Sequence, residues 1–279
     1  MTVTIIGIGL IGGSLALALK EKGLADHIIG IDNDAAHLQT AIQMGLIDEH
    51  CTLENAVQKS SLIIVAIPVD ALTSLLPKIM DLVAGQVIMD AGSTKELVMK
   101  KIEGHPKRGR FVATHPMWGT EYSGPQAAVK GAFVNKAVVI CNREESDADA
   151  LQLVTNLYHQ LGMHLVYMEA QAHDLHAAYV SHISHITSFA LANTVLEKEK
   201  EEDAIFELAS GGFESTVRLA KSNPAMWVPV FQQNRENVLD VLNEHISQLR
   251  KFKSCLEKEN YAYLRELIEN ANNIRRILK

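Results

Sequence analysis

The stretch Thr114-His115-Pro116-Met117-Trp118-Gly119-Thr120-Glu121-Tyr122-Ser123-Gly124 gathers an imidazole, a carboxylate and several hydroxyls. It follows the apolar run Phe111-Val112-Ala113, which reads as a strand. Histidine titrates near neutral pH, so His115 has the chemistry to take a proton from a reacting group. A loop just past a strand end is where open α/β sheets place such groups. A lone histidine in such a loop is more often structural, so the rest of the chain decides.

A second constellation is His173-Asp174-Leu175-His176-Ala177-Ala178-Tyr179-Val180-Ser181-His182-Ile183-Ser184-His185, inside a helical pattern over residues 170–200 that contains no Pro or Gly. At about 100° per residue, Asp174, Ser181 and His185 fall within about 40° of one another. The small residues Ala178, Ser188 and Ala192 share that face, and together they describe a ligand wall or a polar seam between domains. The same geometry turns His173 and His182 to opposite sides. No metal is expected, because His182 and His185 lack third and fourth ligands. Arg218 follows a Gly211-Gly212 break. In a chain of net charge −7 it is the natural clamp for an anion, since a guanidinium holds a carboxylate through two parallel hydrogen bonds.

These groups need a frame, and the first half of the chain supplies one. Residues 3–8 are almost wholly apolar and β-branched, as in a strand buried on both faces. The turn Gly7-Ile8-Gly9-Leu10-Ile11-Gly12 then enters a helix, a G-x-G-x-x-G pattern in its proper context. Its glycines permit a tight turn, approach of a pyrophosphate and close helix–strand packing, and the helix N-terminus faces the phosphates. Asp32 ends the next strand, twenty residues after Gly12, where a carboxylate accepts from a ribose diol. The following residues, Asn33-Asp34, offer no cation for a 2′-phosphate, which favours NAD over NADP. Asp34 suits the N-cap of the next helix.

Further strands are expected at residues 61–66, ending in Ile67-Pro68, and at 86–89, ending in Asp90-Ala91-Gly92-Ser93-Thr94-Lys95. Ile67 and Pro68 join the glycine turn and Asp32 as expected cofactor contacts. One of Ser93 and Thr94 is expected to cap the following helix, leaving the other to face the nicotinamide. With strands at 137–141 and 164–168, the alternation predicts a doubly wound, Rossmann-type α/β sheet over residues 1–169.

Residues 170–279 read as helical throughout. A charged run, Glu197-Lys198-Glu199-Lys200-Glu201-Glu202-Asp203, marks a solvated helix end. Asn223-Pro224 opens a long helix toward Glu257, and a last helix covers residues 261–278. An all-helical domain with apolar faces calls for a partner, and a homodimer through this half is expected. The acidic balance argues against nucleic acid as a partner. The chain has no stretch of the ~18 apolar residues that a membrane span requires. Cys51, Cys141 and Cys255 fit neither a zinc nor a disulfide pattern, which suits a reducing cytoplasm.

The His-Pro-Met-Trp-Gly-Thr-Glu loop, Asp-Ala-Gly-Ser-Thr-Lys at 90–95, His173-Asp174 with Ser181-His-Ile-Ser-His185, and Gly-Gly-Phe with Arg218 and Asn-Pro-Ala-Met-Trp227 together resemble the prephenate dehydrogenase (TyrA) family. The resemblance implies NAD-dependent oxidative decarboxylation of prephenate to 4-hydroxyphenylpyruvate, with His115 and Ser93 as catalytic residues. It further implies that Arg218, Ser181, His185 and Thr120 contact substrate, and that Glu121 and Asp174 form a charged gate with Arg218. Two departures stand out: Glu214-Ser215 replaces the family's usual Arg-Asp, and Ser-His-Ile-Ser-His replaces Ser-His-Leu-Pro-His. The extra acid leaves arogenate open as the substrate. Two other readings compete: a β-hydroxyacid dehydrogenase, which would place a lysine where this helix offers His185 and Ser181, and a non-catalytic NAD-binding sensor.

Overall fold

The computed structural model describes residues 1–200 and 205–277. The chain divides after Asn234 into two compact units, Met1–Asn234 and Arg235–Lys279.

The first unit is built on an eight-stranded sheet of order β3-β2-β1-β4-β5-β6-β7-β8. The chain winds through β1 (Thr2–Ile6), α1 (Leu10–Glu21), β2 (His27–Ile31), α2 (Ala35–Gln43), the two-residue edge strand β3 (Glu49–His50) and α3 (Leu53–Lys59). Next come β4 (Leu62–Val65), α4 (Val69–Leu82), β5 (Val87–Asp90), α5 (Glu96–Lys101) and β6 (Phe111–Pro116). It closes with β7 (Ala137–Cys141), α6 (Ala148–Gln160) and β8 (His164–Met168). Strands β1 to β6 are parallel, as expected for a doubly wound sheet. β7 runs antiparallel to β6 and parallel to β8, so the last two strands are reversed. Alternate residues of each central strand enter opposite cores. Leu62 and Ile64 pack with Leu15, Leu19 and Tyr158, whereas Ile63 and Val65 pack with Leu72, Leu76 and Phe111.

After Met168 the described chain is helical: α7 (Ala170–Ala177), a π-turn (Ala178–His182), α8 (Ile183–Glu199), α9 (Gly211–Val217) and α10 (Pro224–Gln233). The predicted helix over 170–200 therefore holds, but with a π-turn inside it. The charged run leaves α8 in solvent as far as Lys200; its residues 201–203 lie outside the described residues. Asn223 caps α10 through Ala225 N–H, with Pro224 at its first position. The helix expected to run on toward Glu257 is interrupted at Asn234, where the backbone leaves helical geometry.

The second unit is a helical hairpin of α11 (Arg235–Glu257) and α12 (Tyr261–Ala271). Glu259 takes a positive φ of 51° in the turn, and Asn260 caps α12 by accepting from Tyr263 N–H. The tail of the helix expected over 261–278 ends as a short 3-10 turn, and residue 278 lies outside the described residues. Large apolar side chains of this unit, including Leu249, Leu256, Tyr261 and Ile268, are exposed. Among the described residues no helix is long and apolar enough to cross a membrane.

Candidate active site

The glycine turn sits between β1 and α1. Gly7 has φ +90°, and a Cβ there would lie 2.4 Å from Ala66 O. A Cβ on Gly12 would lie 1.9 Å from Gly7 O, so the helix can approach the strand only with glycine. A Cβ on Gly9 would meet nothing within 4 Å and would project into open space. Gly9 is the N-cap of α1 without a side chain to occupy the helix end, and Leu10 and Ile11 form its first, half-buried turn. Asp32 Oδ2 accepts from Ile8 N–H at 2.8 Å and Oδ1 from Asp34 N–H at 3.0 Å. The carboxylate thus buttresses the turn and retains lone pairs for a further donor. Asp34 caps α2 through Ala36 N–H, as expected. Ile67 is half-buried behind the turn, and Pro68 is exposed at the head of α4.

His115 is not in the loop. β6 continues through Pro116, and His115 pairs with Val139 of β7. The ladder to β7 extends the strand past the point where its apolar run stops. Burial first, then the neighbouring His173, Lys95 and His182, holds the His115 imidazole well below the usual histidine range. His115 Nδ1 and His173 Nε2 are 2.8 Å apart, and His173 Nδ1 lies 2.7 Å from Asp174 Oδ1. Both His173 and Asp174 are only 2% exposed, so this His–His–Asp chain runs inside the protein.

Asp174 also accepts from Lys95 N–H at 2.8 Å and Glu96 N–H at 2.9 Å. It therefore caps α5 from a helix 79 positions away. This corrects two expectations. Neither Ser93 nor Thr94 caps α5: Thr94 Oγ1 donates to Gln233 Oε1 at 2.7 Å, and Ser93 is half-buried with its hydroxyl unbonded among the described residues. Asp174 takes no part in a gate with Arg218, because its oxygens are committed to α5 and His173. Beneath the Ser93 loop lies a fully buried ion pair, Lys95 Nζ with Asp90 Oδ2, with Lys95 also donating to Gly92 O at 2.7 Å. Asp90 Oδ1 accepts from Thr114 N–H at 2.9 Å, so one carboxylate ties the end of β5 to the residue before His115.

The π-turn changes the predicted helix face. One extra residue in a turn delays everything beyond it by roughly 100°. His173 and His182, expected on opposite sides, both turn inward and are buried. Asn234 Nδ2 donates to Asp174 O at 2.6 Å and to His182 Nδ1 at 3.1 Å, which joins the two. Burial pushes the His182 pKa down to about 4. Ser181, inside the π-turn, and His185, beyond it, are half-buried. His185 stacks on Trp227, with centroids 3.5 Å apart and planes at 28°, and its Nδ1 donates to Ser181 O at 3.1 Å. Burial, and secondarily Arg218, lowers the His185 pKa.

Arg218 Nη1 donates to Glu121 Oε2 at 2.7 Å, so these two do meet. Thr120 Oγ1 accepts from Tyr122 N–H within the same loop. The sequence reading gave no site role to His173, Asn234, Gln233 or the Asp90–Lys95 pair. Only the adjacency of His173 to Asp174 hinted at the first.

Two family models account for nearly the whole chain: "Prephenate dehydrogenase, nucleotide-binding domain" over residues 15–167 and "Prephenate dehydrogenase, dimerization domain" over residues 169–270. The prephenate dehydrogenase of Bacillus subtilis (strain 168) is 31% identical over 98% of this chain and 75% of its own length. The prephenate dehydrogenase of A. aeolicus, solved with hydroxyphenyl propionate and NAD+, superposes with a TM-score of 0.90 at 28% identity, covering 100% of this chain and 98% of that one. The Synechocystis arogenate dehydrogenase gives a TM-score of 0.76 at 25% identity, with both chains covered fully. With both family models matched in order, a relative above 30% identity and the same fold throughout, the chain belongs to the prephenate dehydrogenase family.

Proposed function

We propose that the chain is an NAD-dependent prephenate dehydrogenase of tyrosine biosynthesis, converting prephenate and NAD to 4-hydroxyphenylpyruvate, carbon dioxide and NADH. The observation that carries this reading is His115, half-buried at the C-terminal end of β6 and backed by the buried His173–Asp174 pair. A depressed pKa keeps that imidazole neutral, the form a proton acceptor needs.

The glycine turn fits NAD. Gly9 leaves open space where a pyrophosphate approaches the backbone, and the N-terminal N–H groups of α1 face it. Asp32 suits a ribose diol, with Gly7, Ile8, Leu10, Ile11, Gly12, Ile67 and Pro68 completing the wall. When bound, NAD accepts the hydride from the carbinol carbon of the ring. His115 takes the ring hydroxyl proton, and Ser93, whose hydroxyl is unbonded among the described residues, orients that hydroxyl or His115. Arg218 holds a substrate carboxylate, with Glu121 closing over it and Thr120 lining the loop. Ser181 and His185 hold the side chain. Loss of carbon dioxide is driven by aromatisation, so these residues need only bind, orient and deprotonate.

Residues 1–169 form the NAD-binding domain in this reading, and residues 170–279 bind substrate and make a homodimer. The exposed apolar side chains of α11 and α12 and the matched dimerization model support the dimer. Three free cysteines suit the cytoplasm. The likeness to an arogenate dehydrogenase favours a second reading, oxidation of arogenate to tyrosine at the same site. Purified protein is mixed with NAD and either substrate while NADH absorbance is followed. Prephenate turnover supports the first reading and arogenate turnover the second. No NADH with either substrate overturns both and favours a non-catalytic NAD sensor.

A further inference from the structure

The hydrogen bonds around Asp174 bear on which nitrogen of His115 carries the proton. Three N–H groups converge on the Asp174 carboxyl: Lys95 N and His173 Nδ1 at Oδ1, and Glu96 N at Oδ2. The two backbone groups can only donate, and the carboxylate, an acceptor only, is the form this pocket satisfies. His173 Nδ1 must then carry a hydrogen, and with that ring neutral a lone pair stays on Nε2. That lone pair faces His115 Nδ1 at 2.8 Å, and the contact is a hydrogen bond only if His115 Nδ1 carries the hydrogen. The His115 lone pair is thereby left on Nε2. Lys95 from the turn before α5 and His182 from the π-turn are the other titratable groups facing this ring, and neither hydrogen-bonds to it.

We propose that His173, held by Asp174, is a positioning residue that fixes His115 as the tautomer with Nδ1 protonated and Nε2 bare. This rests on the reading of His115 as the proton acceptor. The substrate O–H bond breaks and an Nε2–H bond forms; no other atom changes place in the relay. The resulting His115 imidazolium keeps its Nδ1–H on His173, whose ring is polarised by the Asp174 carboxylate. A half-buried base that resists protonation in the free enzyme gains a supported cation only when its proton arrives.

The test combines spectroscopy with kinetics. ¹⁵N-histidine labelling of the whole protein, with His115 assigned by loss of its signals in His115→Asn, reads the tautomer directly. The expected result is Nδ1 protonated and Nε2 bare; the opposite tautomer overturns the proposal. His173→Leu removes the acceptor, whereas His173→Gln keeps an acceptor oxygen near the position of Nε2. His173→Leu should lose kcat on the order of 10²-fold, with NAD affinity and KM within a few-fold, and His173→Gln should recover most of the loss. Full kcat in His173→Leu, or equal rates in the two variants, overturns the proposal. Normal turnover in His115→Asn overturns the base assignment instead. The tautomer measurement needs neither turnover nor a folded His173 variant.

Discussion

Arg218 and Glu121, 97 positions apart, meet through a single hydrogen bond of 2.7 Å, with the arginine side chain 47% exposed and the glutamate only 10%. An arginine so placed can exchange its partner for a substrate carboxylate. Arg218→Gln is expected to raise KM roughly tenfold or more while changing kcat far less. The melting curve should move little, because an ion pair whose arginine side is open to solvent contributes little to stability. Steady-state kinetics decide: a fall in kcat at unchanged KM contradicts a binding role.

Lys95 and Asp90 are both fully buried and paired, beneath the loop that carries Ser93. Lys95→Met leaves the Asp90 carboxylate with only backbone donors. The expected cost is about 3–5 kcal/mol of unfolding free energy. Denaturant titration checks this, and a midpoint equal to that of the unsubstituted protein contradicts it.

Gly9 and Gly12 differ in what an added methyl would meet. Gly12→Ala collides with Gly7 O and should destabilise the fold. Gly9→Ala meets nothing within 4 Å among the described residues, so its melting temperature should be preserved. It should nonetheless weaken NAD by roughly tenfold or more, because the methyl occupies the approach of the pyrophosphate. Calorimetric titration with NAD separates the two, and unchanged affinity in Gly9→Ala contradicts the placement.

His182 has a folded-state pKa of about 4, against about 6.5 when unfolded. The unfolded chain therefore takes up the proton first as pH falls. This contribution to stability is complete above about pH 6.5 and is lost between about 6.5 and 4. Its upper limit is about 3 kcal/mol. His115 acts in the same direction. His182→Asn should flatten that part of the pH–stability curve relative to the unsubstituted protein, and parallel curves for the two would contradict it.

Local signals in the sequence carried the frame. Apolar runs between helical patterns located the seven longer strands, and the spacing of Gly7, Gly9, Gly12 and Asp32 located the turn. The two-residue β3 was missed, since Glu49-His50 has no apolar run to mark it. The sequence was silent wherever a distant partner decides. β6 reaches Pro116 because Val138, Val139 and Ile140 pair with it. α5 is capped from α7, whereas cap signals in sequence are local. The π-turn at Ala178–His182 contains neither Pro nor Gly, so an ideal 100° wheel placed His173 and His182 on opposite sides. For the same reason His115 was legible as a titratable group near a strand end, while His173 behind it was not.

His115 as acceptor of the substrate proton is tested most directly by its own removal. His115→Asn is measured for NAD affinity by titration and for prephenate turnover by NADH absorbance. The expected result is unchanged NAD affinity with turnover lowered by about 10²–10⁴-fold, the contribution of one general base. Turnover near that of the unsubstituted enzyme would contradict it.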